Sequence, residues 1–229
     1  MIAQSMTPTL LTQLNALTGG LFLLSTFGVI AMRQVLGCLK MFILQSLFLA
    51  SSALLLSYYH SSLHLLAVAA ITLVVKPLLI PYLLRRTVGD KVTSRREISQ
   101  VLNIPTSLLI AAGLTIFAYF IAKPLIAYSG AGGIIIGVNL PIGISALLLG
   151  AYALTVRREA VPQTIGILSM ENGAFFAGIS IASNLPFIAE LSAAFDALII
   201  ALVMGILIRK IHERVGSTSV GEMKTLREV

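Results

Sequence analysis

The apolar positions of this chain come in long stretches separated by short polar segments. A helix needs about 20 mostly apolar residues to cross the hydrocarbon core of a bilayer. None of the stretches has a strongly polar face, as expected where lipid rather than water surrounds a helix. The pattern predicts an all-α, polytopic integral membrane protein with about seven transmembrane helices, at residues 10–31, 35–57, 63–84, 105–125, 133–156, 161–183 and 187–208.

Composition and charge agree with this interpretation and add a topology. Only 11% of the residues are charged, against about 25% in soluble domains. With seven spans, Lys123 is the one basic residue that falls on one side of the membrane, and the other side receives Arg33, Arg85, Arg86, Lys91, Arg95, Arg96, Arg157, Arg158, Arg209, Lys210, Arg214, Lys224 and Arg227. Cytoplasmic loops carry the excess of basic residues, so the N-terminus is predicted outside and the C-terminus inside a multi-pass protein of the cell (inner) membrane. Topology and contact with anionic lipids account for the net charge of +7, and nucleic acid is not a predicted partner.

The loops suggest three parts. We expect an N-terminal three-helix unit with a basic cytoplasmic loop at 1–100, a connecting transmembrane helix at 101–130, and a second three-helix unit with a cytoplasmic tail at 131–229. A weak internal repeat relates the two units, because Gln45 and Lys76 in the first correspond in position to Glu171 and Asp196 in the second. Two explanations of this repeat remain open, a true duplication and the regular alternation of helices and loops in any polytopic protein.

Three ionisable residues stand out by their depth. Glu171 and Asp196 lie in the middle of consecutive apolar runs, where a carboxylate costs about 2.5–3.5 kcal/mol or more. At 1.5 Å per residue, each is about 15 Å from one end of its helix, and Lys76 is about 14 Å from the inner end of the third helix. A row of such groups at one depth is what a lateral proton relay needs. The alternative is a structural ion pair or hydrogen-bonded strut between helices.

The third helix also contains two prolines beside Lys76. Pro77 follows the lysine directly, and Pro81 comes one turn later. Each proline removes a backbone donor and clashes with the carbonyl four residues back, which predicts a kink. Either the kink serves a hydrated lysine that exchanges its proton, or it serves packing alone, with the Lys76 side chain reaching towards the inner interface.

The remaining candidates complete the predicted proton path. Asn172 offers a hydrogen bond beside Glu171, Gln45 lies at mid-depth, and Lys40 lies near the inner end of the second helix, where it is also explained as an interfacial residue. The single cysteine, Cys38, excludes a thiolate cluster for iron–sulfur or zinc within the chain. We therefore predict no catalytic residue, no cofactor and no metal site, and a proton path made of Glu171, Asp196, Lys76, Lys40, Gln45 and Asn172.

Short motifs in the C-terminal half resemble a known family. They are Leu148-Leu149-Gly150, Arg157-Arg158, Ile165-Gly166, Met170 and Asn172, and their order is similar to that in the smallest three-helix membrane subunit of respiratory complex I, a subunit type also found in multisubunit cation antiporters. The whole chain resembles component E of formate hydrogenlyase-type, group 4 NiFe hydrogenases, through Met170-Glu171-Asn172-Gly173, Phe195-Asp196-Ala197, Lys76-Pro77 and Ile208-Arg209-Lys210. Of the two membrane carboxylates of the complex I subunit, the second corresponds to Asp196. The position of the first is occupied here by Leu168, three residues before Glu171.

The resemblance implies a non-catalytic subunit of an oxidoreductase complex. Redox chemistry would lie in partner subunits, and this chain would link the hydrogenase arm to antiporter-like membrane subunits while contributing to proton translocation. Two other functions remain open, a subunit of a monovalent cation/proton antiporter and a purely structural membrane adaptor. The residues do not distinguish H⁺ from Na⁺, or formate from carbon monoxide as the electron source.

Overall fold

The structure, a computed structural model, describes residues 8–88, 98, 100–128, 134–181 and 187–215. In these ranges the chain forms seven helices and no strand. They are α1 (Pro8–Ala31), α2 (Val35–His60), α3 (residues 63–88), α4 (Ile104–Tyr128), α5 (Ile134–Val156), α6 (Ala160–Ile181) and α7 (Phe187–Val215). The predicted helix count is thus confirmed for the described residues, and each predicted range overlaps one observed helix.

Six of the helices, α1 to α6, are long and apolar enough to cross a membrane among the residues described. The described side chains of α7 run from Phe195 to Ile211. This helix continues to Val215, beyond the predicted end at residue 208. The orientation of the termini relative to the membrane stays a prediction.

Helix α3 changes its hydrogen-bond pattern at Lys76-Pro77. It consists of an α-helical segment Leu63–Val74, a π-helical turn Val75–Leu79 and a second α-helical segment Ile80–Val88. The N–H of Ile80 donates to the carbonyl of Val75, five residues back. Because proline has no N–H, an ordinary α-helical turn loses a hydrogen bond here, and the wider π turn accommodates the missing donor. The structure thus has a π-helical turn at the position where the prolines predicted a kink.

Helices α5 and α6 pack closely through glycines. A Cβ atom at Gly143 would lie 2.5 Å from the backbone nitrogen of Ala177, and one at Gly150 would lie 2.5 Å from that of Met170. A Cβ at Gly173 would lie 2.7 Å from the carbonyl carbon of Ala146. Small residues of this kind let two membrane helices approach backbone to backbone. The close contact fixes the position of α6, which carries Glu171 and Asn172.

The other helices surround this pair. Helix α1 lies against α2 and α5, and α4 lies against α5 and α1. Helix α2 contacts α3 and α6, and α7 packs against α6 and along α3, including its π-helical turn. A hydrophobic cluster that includes Leu39, Phe42, Ile80, Ile165 and Ala201 joins α2, α3, α6 and α7.

A candidate charged site at the π-helical turn

Lys76 lies inside the helix bundle and forms an ion pair. Its Nζ atom is 2.8 Å from Oε1 of Glu171 and donates a second hydrogen bond of 2.9 Å to Oδ1 of Asn172. The lysine side chain is 3% exposed. The Nζ atom also lies 5.1 Å from the ring centroid of Phe175, within the range of a cation–π contact.

Both partner helices position this pair through local features. On α3, Lys76 and Pro77 are buried within the π-helical turn. On α6, Glu171 and Phe175 are four residues apart and share one face. The tight α5–α6 contact at Gly173 holds that part of the helix. The site thus depends on one irregular turn and one very regular helix contact.

A chain of neutral polar groups extends from the ion pair towards α1. Asn172 donates through Nδ2 to Ser46 Oγ at 3.1 Å and to Gln45 Oε1 at 3.4 Å. Gln45 donates through Nε2 to the hydroxyls of Ser169 and Thr26, each at 2.9 Å. All five residues are buried. Helices α1, α2, α3 and α6 therefore share one hydrogen-bond network.

Glu171 connects this network to the surface. Its side chain is 20% exposed, whereas that of Lys76 is 3% exposed. Its second carboxylate oxygen, Oε2, is buried and has no hydrogen-bond partner in the described structure. That oxygen retains the capacity to accept a hydrogen bond or a proton.

The structure thus brings four of the six predicted residues together and leaves two apart. Lys76, Glu171, Asn172 and Gln45 form the network, as just described. Lys40 and Asp196 are exposed on α2 and α7. Within the described ranges no hydrogen bond or ion pair joins either of them to the four.

A second buried polar cluster lies elsewhere in the bundle and was not predicted. Asn15 on α1 donates through Nδ2 to Oδ1 of Asn139 on α5 at 3.0 Å, and Ser52 on α2 donates to Oδ1 of Asn15 at 2.7 Å. Their positions inside apolar runs are the sequence signal that could have indicated them. The cluster contains no ionisable group, so it fits helix association rather than proton transfer.

Arg157 also has a structural role that loop charge alone did not indicate. It lies between α5 and α6 and is 3% exposed. Its guanidinium donates to the carbonyls of Val29, Ile30 and Met32 at 2.7, 2.8 and 2.9 Å. These carbonyls end α1, where a helix lacks internal donors and favours positive charge. Burial lowers the pKa of Arg157, but an arginine stays charged in proteins.

Metal ligation finds no support among the described residues. No group of three or more histidine, cysteine, aspartate or glutamate residues that could hold a metal ion occurs there. His60 and His64 are both exposed. The Cys38 thiol is buried and donates to the carbonyl of Val29 at 3.4 Å.

Comparison with known proteins gives relatives that match nearly the whole chain. The uncharacterized protein Rv0085 of Mycobacterium tuberculosis is 30% identical over 210 residues, which cover 92% of this chain and 94% of the relative. Hydrogenase-4 component E of Escherichia coli (strain K12) is 27% identical over 221 residues, which cover 93% and 96%. The same values hold for component E of Shigella flexneri. No family model matches the chain, and no solved structure matches it.

The six membrane-length helices among the described residues and the homology to a hydrogenase-4 component indicate a multi-pass helical membrane protein. The chain belongs to the same family as Rv0085 of Mycobacterium tuberculosis, and hydrogenase-4 component E is a distant homologue along almost the full length. The predicted resemblance to component E is thereby confirmed as distant homology. The likeness of the C-terminal part to the small complex I subunit stays a prediction.

Proposed function

We propose that this chain is a cofactor-free membrane subunit of a multisubunit hydrogenase complex, and that Lys76 and Glu171 form the centre of a proton path through it. Redox chemistry takes place in partner subunits. Distant homology to hydrogenase-4 component E and the six membrane-length helices support membership of such a complex. Gln45 and Asn172 orient the pair, and Lys40 and Asp196 would join the path only through groups outside the described residues.

The 2.8 Å contact between Lys76 Nζ and Glu171 Oε1 carries this proposal. A proton can move along this hydrogen bond, turning the ammonium–carboxylate pair into a neutral amine and a carboxylic acid. The interior of the bundle favours the neutral form and the ion pair favours the charged one, so the two forms lie closer in free energy than they do in water. Oε2 of Glu171 is buried and has no hydrogen-bond partner among the described residues, and it belongs to a side chain that is 20% exposed; a proton would enter or leave the pair at this oxygen.

A strut function is the competing proposal, because a buried ion pair between α3 and α6 also locks two helices together. The variant Glu171→Gln distinguishes the two proposals. The glutamine amide oxygen still accepts the hydrogen bond from Lys76 but cannot take up a proton. If the pair conducts protons, the number of protons pumped per electron by the complex that assembles should fall at least tenfold.

This first prediction is measured in sealed vesicles that contain the native complex, with the amount of assembled complex determined in parallel. Ser51→Ala is the control variant, because the Ser51 hydroxyl is exposed and, among the described residues, donates its hydrogen bond to the carbonyl of Leu47 on its own helix. It should leave both quantities unchanged. Normal pumping per electron with a reduced amount of complex would support the strut function and refute the proton path.

The topology gives a second prediction. The proposed seven spans and the bias of basic residues to one side place the N-terminus outside and the C-terminus in the cytoplasm. A reporter fused after Val229 should be active as a cytoplasmic fusion, and one fused before Met1 should report from the opposite side. Both termini on one side would refute the seven-span topology, though not the ion pair.

A further inference from the structure

Helix α7 presents an exposed apolar face with one carboxylate in it. This surface, called the Asp196 face below, consists of Asp196, Ile199, Leu202, Val203, Ile206 and Leu207. Their spacing of three and four residues places them along one side of the helix. The exposed fractions of Ile199 and Val203 are both 53%.

The opposite edge of α7 fixes the direction in which Asp196 points. Ala197, Ala201 and Ile208 are fully buried and belong to the cluster that contains Ile80 and Leu84 of α3. Because α7 packs along α3 through these residues, the face that bears Asp196 is turned away from the bundle. The exposure of Asp196 is therefore a consequence of the packing of α7 rather than of a loosely placed side chain.

A carboxylate at this depth cannot face lipid without a cost. In the proposed seven-span topology, Asp196 is nine residues after Phe187, or about 13 Å along the helix, which places it well inside a bilayer about 30 Å thick. Ionisable residues at such depth nearly always pair with another group or face a cavity. In the part of the chain that the structure describes, no hydrogen bond or ion pair to Asp196 is present.

We infer that the Asp196 face binds a transmembrane helix of a different subunit, and that a lysine or arginine of this helix pairs with Asp196. Charge complementarity requires the cation, and the apolar residues around Asp196 provide the surface against which a helix packs. The inference rests on the proposed membership of a complex, but it does not depend on proton transfer.

A second copy of this chain fits the face less well. Within the described helices, the exposed basic residues available to a second copy are Lys40, Arg85, Arg86, Lys123, Arg209 and Lys210. Counted from helix ends on the same side of the membrane, Lys123 lies about 6 Å from the depth of Asp196, and each of the others lies about 16 Å or more from it. A partner helix with a cation at the same depth avoids this mismatch.

Photo-crosslinking of the full-length chain in its native membranes tests the inference. A photoreactive amino acid replaces Val203 on the Asp196 face, and in the control it replaces Ile116 on α4, which is 61% exposed. We expect the probe at 203 to give one adduct with a transmembrane segment of another subunit that contains a lysine or arginine. The probe at 116 should react with lipid. Adducts at 203 with lipid alone, or with a second copy of this chain, would overturn the inference.

Charge exchange provides the decisive measurement. Asp196→Lys should lower the amount of crosslinked subunit recovered with the tagged chain at least tenfold, and replacing the partner's basic residue by aspartate should restore it. If Asp196→Lys does not accumulate, the double exchange should restore accumulation. Failure of the double exchange in either assay overturns the inference. Normal pumping in Glu171→Gln together with successful charge exchange would refute the proton path and leave this interface standing.

Discussion

Gly173→Ala is expected to destabilise the chain strongly, although it adds a single methyl group. The new Cβ would lie 2.7 Å from the carbonyl carbon of Ala146 and 2.8 Å from the carbonyl oxygen of Gly143. These are backbone atoms of α5 and cannot move aside as the end of a side chain can. Helices α5 and α6 would have to separate, at a cost of about 1–3 kcal/mol or more. The separation would also displace Asn172 from its hydrogen bonds with Lys76 and Ser46.

The same helix offers a matched control. Gly178 lies five residues further along α6, and a Cβ there would meet nothing within 4 Å. Gly178→Ala should leave stability unchanged or raise it slightly, because alanine favours the helix over glycine. The measurement is the fraction of fluorescently tagged native complex that remains monodisperse after heating in mild detergent. Equal thermal stability of the two variants would contradict the close α5–α6 contact.

The positions of the helices could be predicted from the sequence because lipid demands long apolar segments with satisfied backbones. The same apolar segments do not show which faces of the helices contact one another. A helix in lipid needs no polar outer face, so nothing in the apolar runs shows that Gln45 of α2 lies against Ser169 of α6. The depth of a residue follows from counting, whereas its neighbours depend on packing between distant segments.

Lys76 and Arg157 are two examples of contacts that the sequence did not predict. Pro77 predicted a missing hydrogen-bond donor beside Lys76, but not that the backbone answers with a π-helical turn. Arg157 was counted among basic loop residues, whereas the structure buries it against the last carbonyls of α1. For Pro77, the sequence shows the missing donor, and the rearranged hydrogen bonds lie on the same turn. For Arg157, the sequence shows the charge, and the carbonyls that accept its hydrogen bonds lie on a helix more than a hundred residues away.

The exposed position of Asp196 has a different cause. Its depth made it a candidate beside Glu171, and depth says nothing about direction around the helix axis. The small residues Ala197 and Ala201 turn towards α3, and Asp196 consequently faces outward. Sequence spacing alone could have placed it on either side, since both faces of α7 are apolar.

The last prediction compares the loss of Lys76 with the loss of Glu171 from the ion pair. Glu171→Met would leave Lys76 as a nearly fully buried cation with Asn172 as its remaining hydrogen-bond acceptor. Removing one partner of a buried pair costs about 3–5 kcal/mol. Lys76→Met should cost less, because the side chain of Glu171 is 20% exposed whereas that of Lys76 is 3% exposed, so water reaches the carboxylate that remains. The amount of assembled native complex should therefore fall further in Glu171→Met than in Lys76→Met.

The double variant separates stability from proton transfer. With methionine at both positions no uncompensated charge remains in the bundle, and replacing a buried pair by apolar residues of similar volume is often neutral or stabilising. Assembly should recover towards the native amount, measured as intact complex per unit of membrane protein, whereas pumping per electron in sealed vesicles should stay low. Recovery of both quantities would mean that Lys76 and Glu171 serve only to join α3 to α6. Recovery of assembly alone is the result that a proton path through the pair requires, because two methionines fill its space and carry no exchangeable proton.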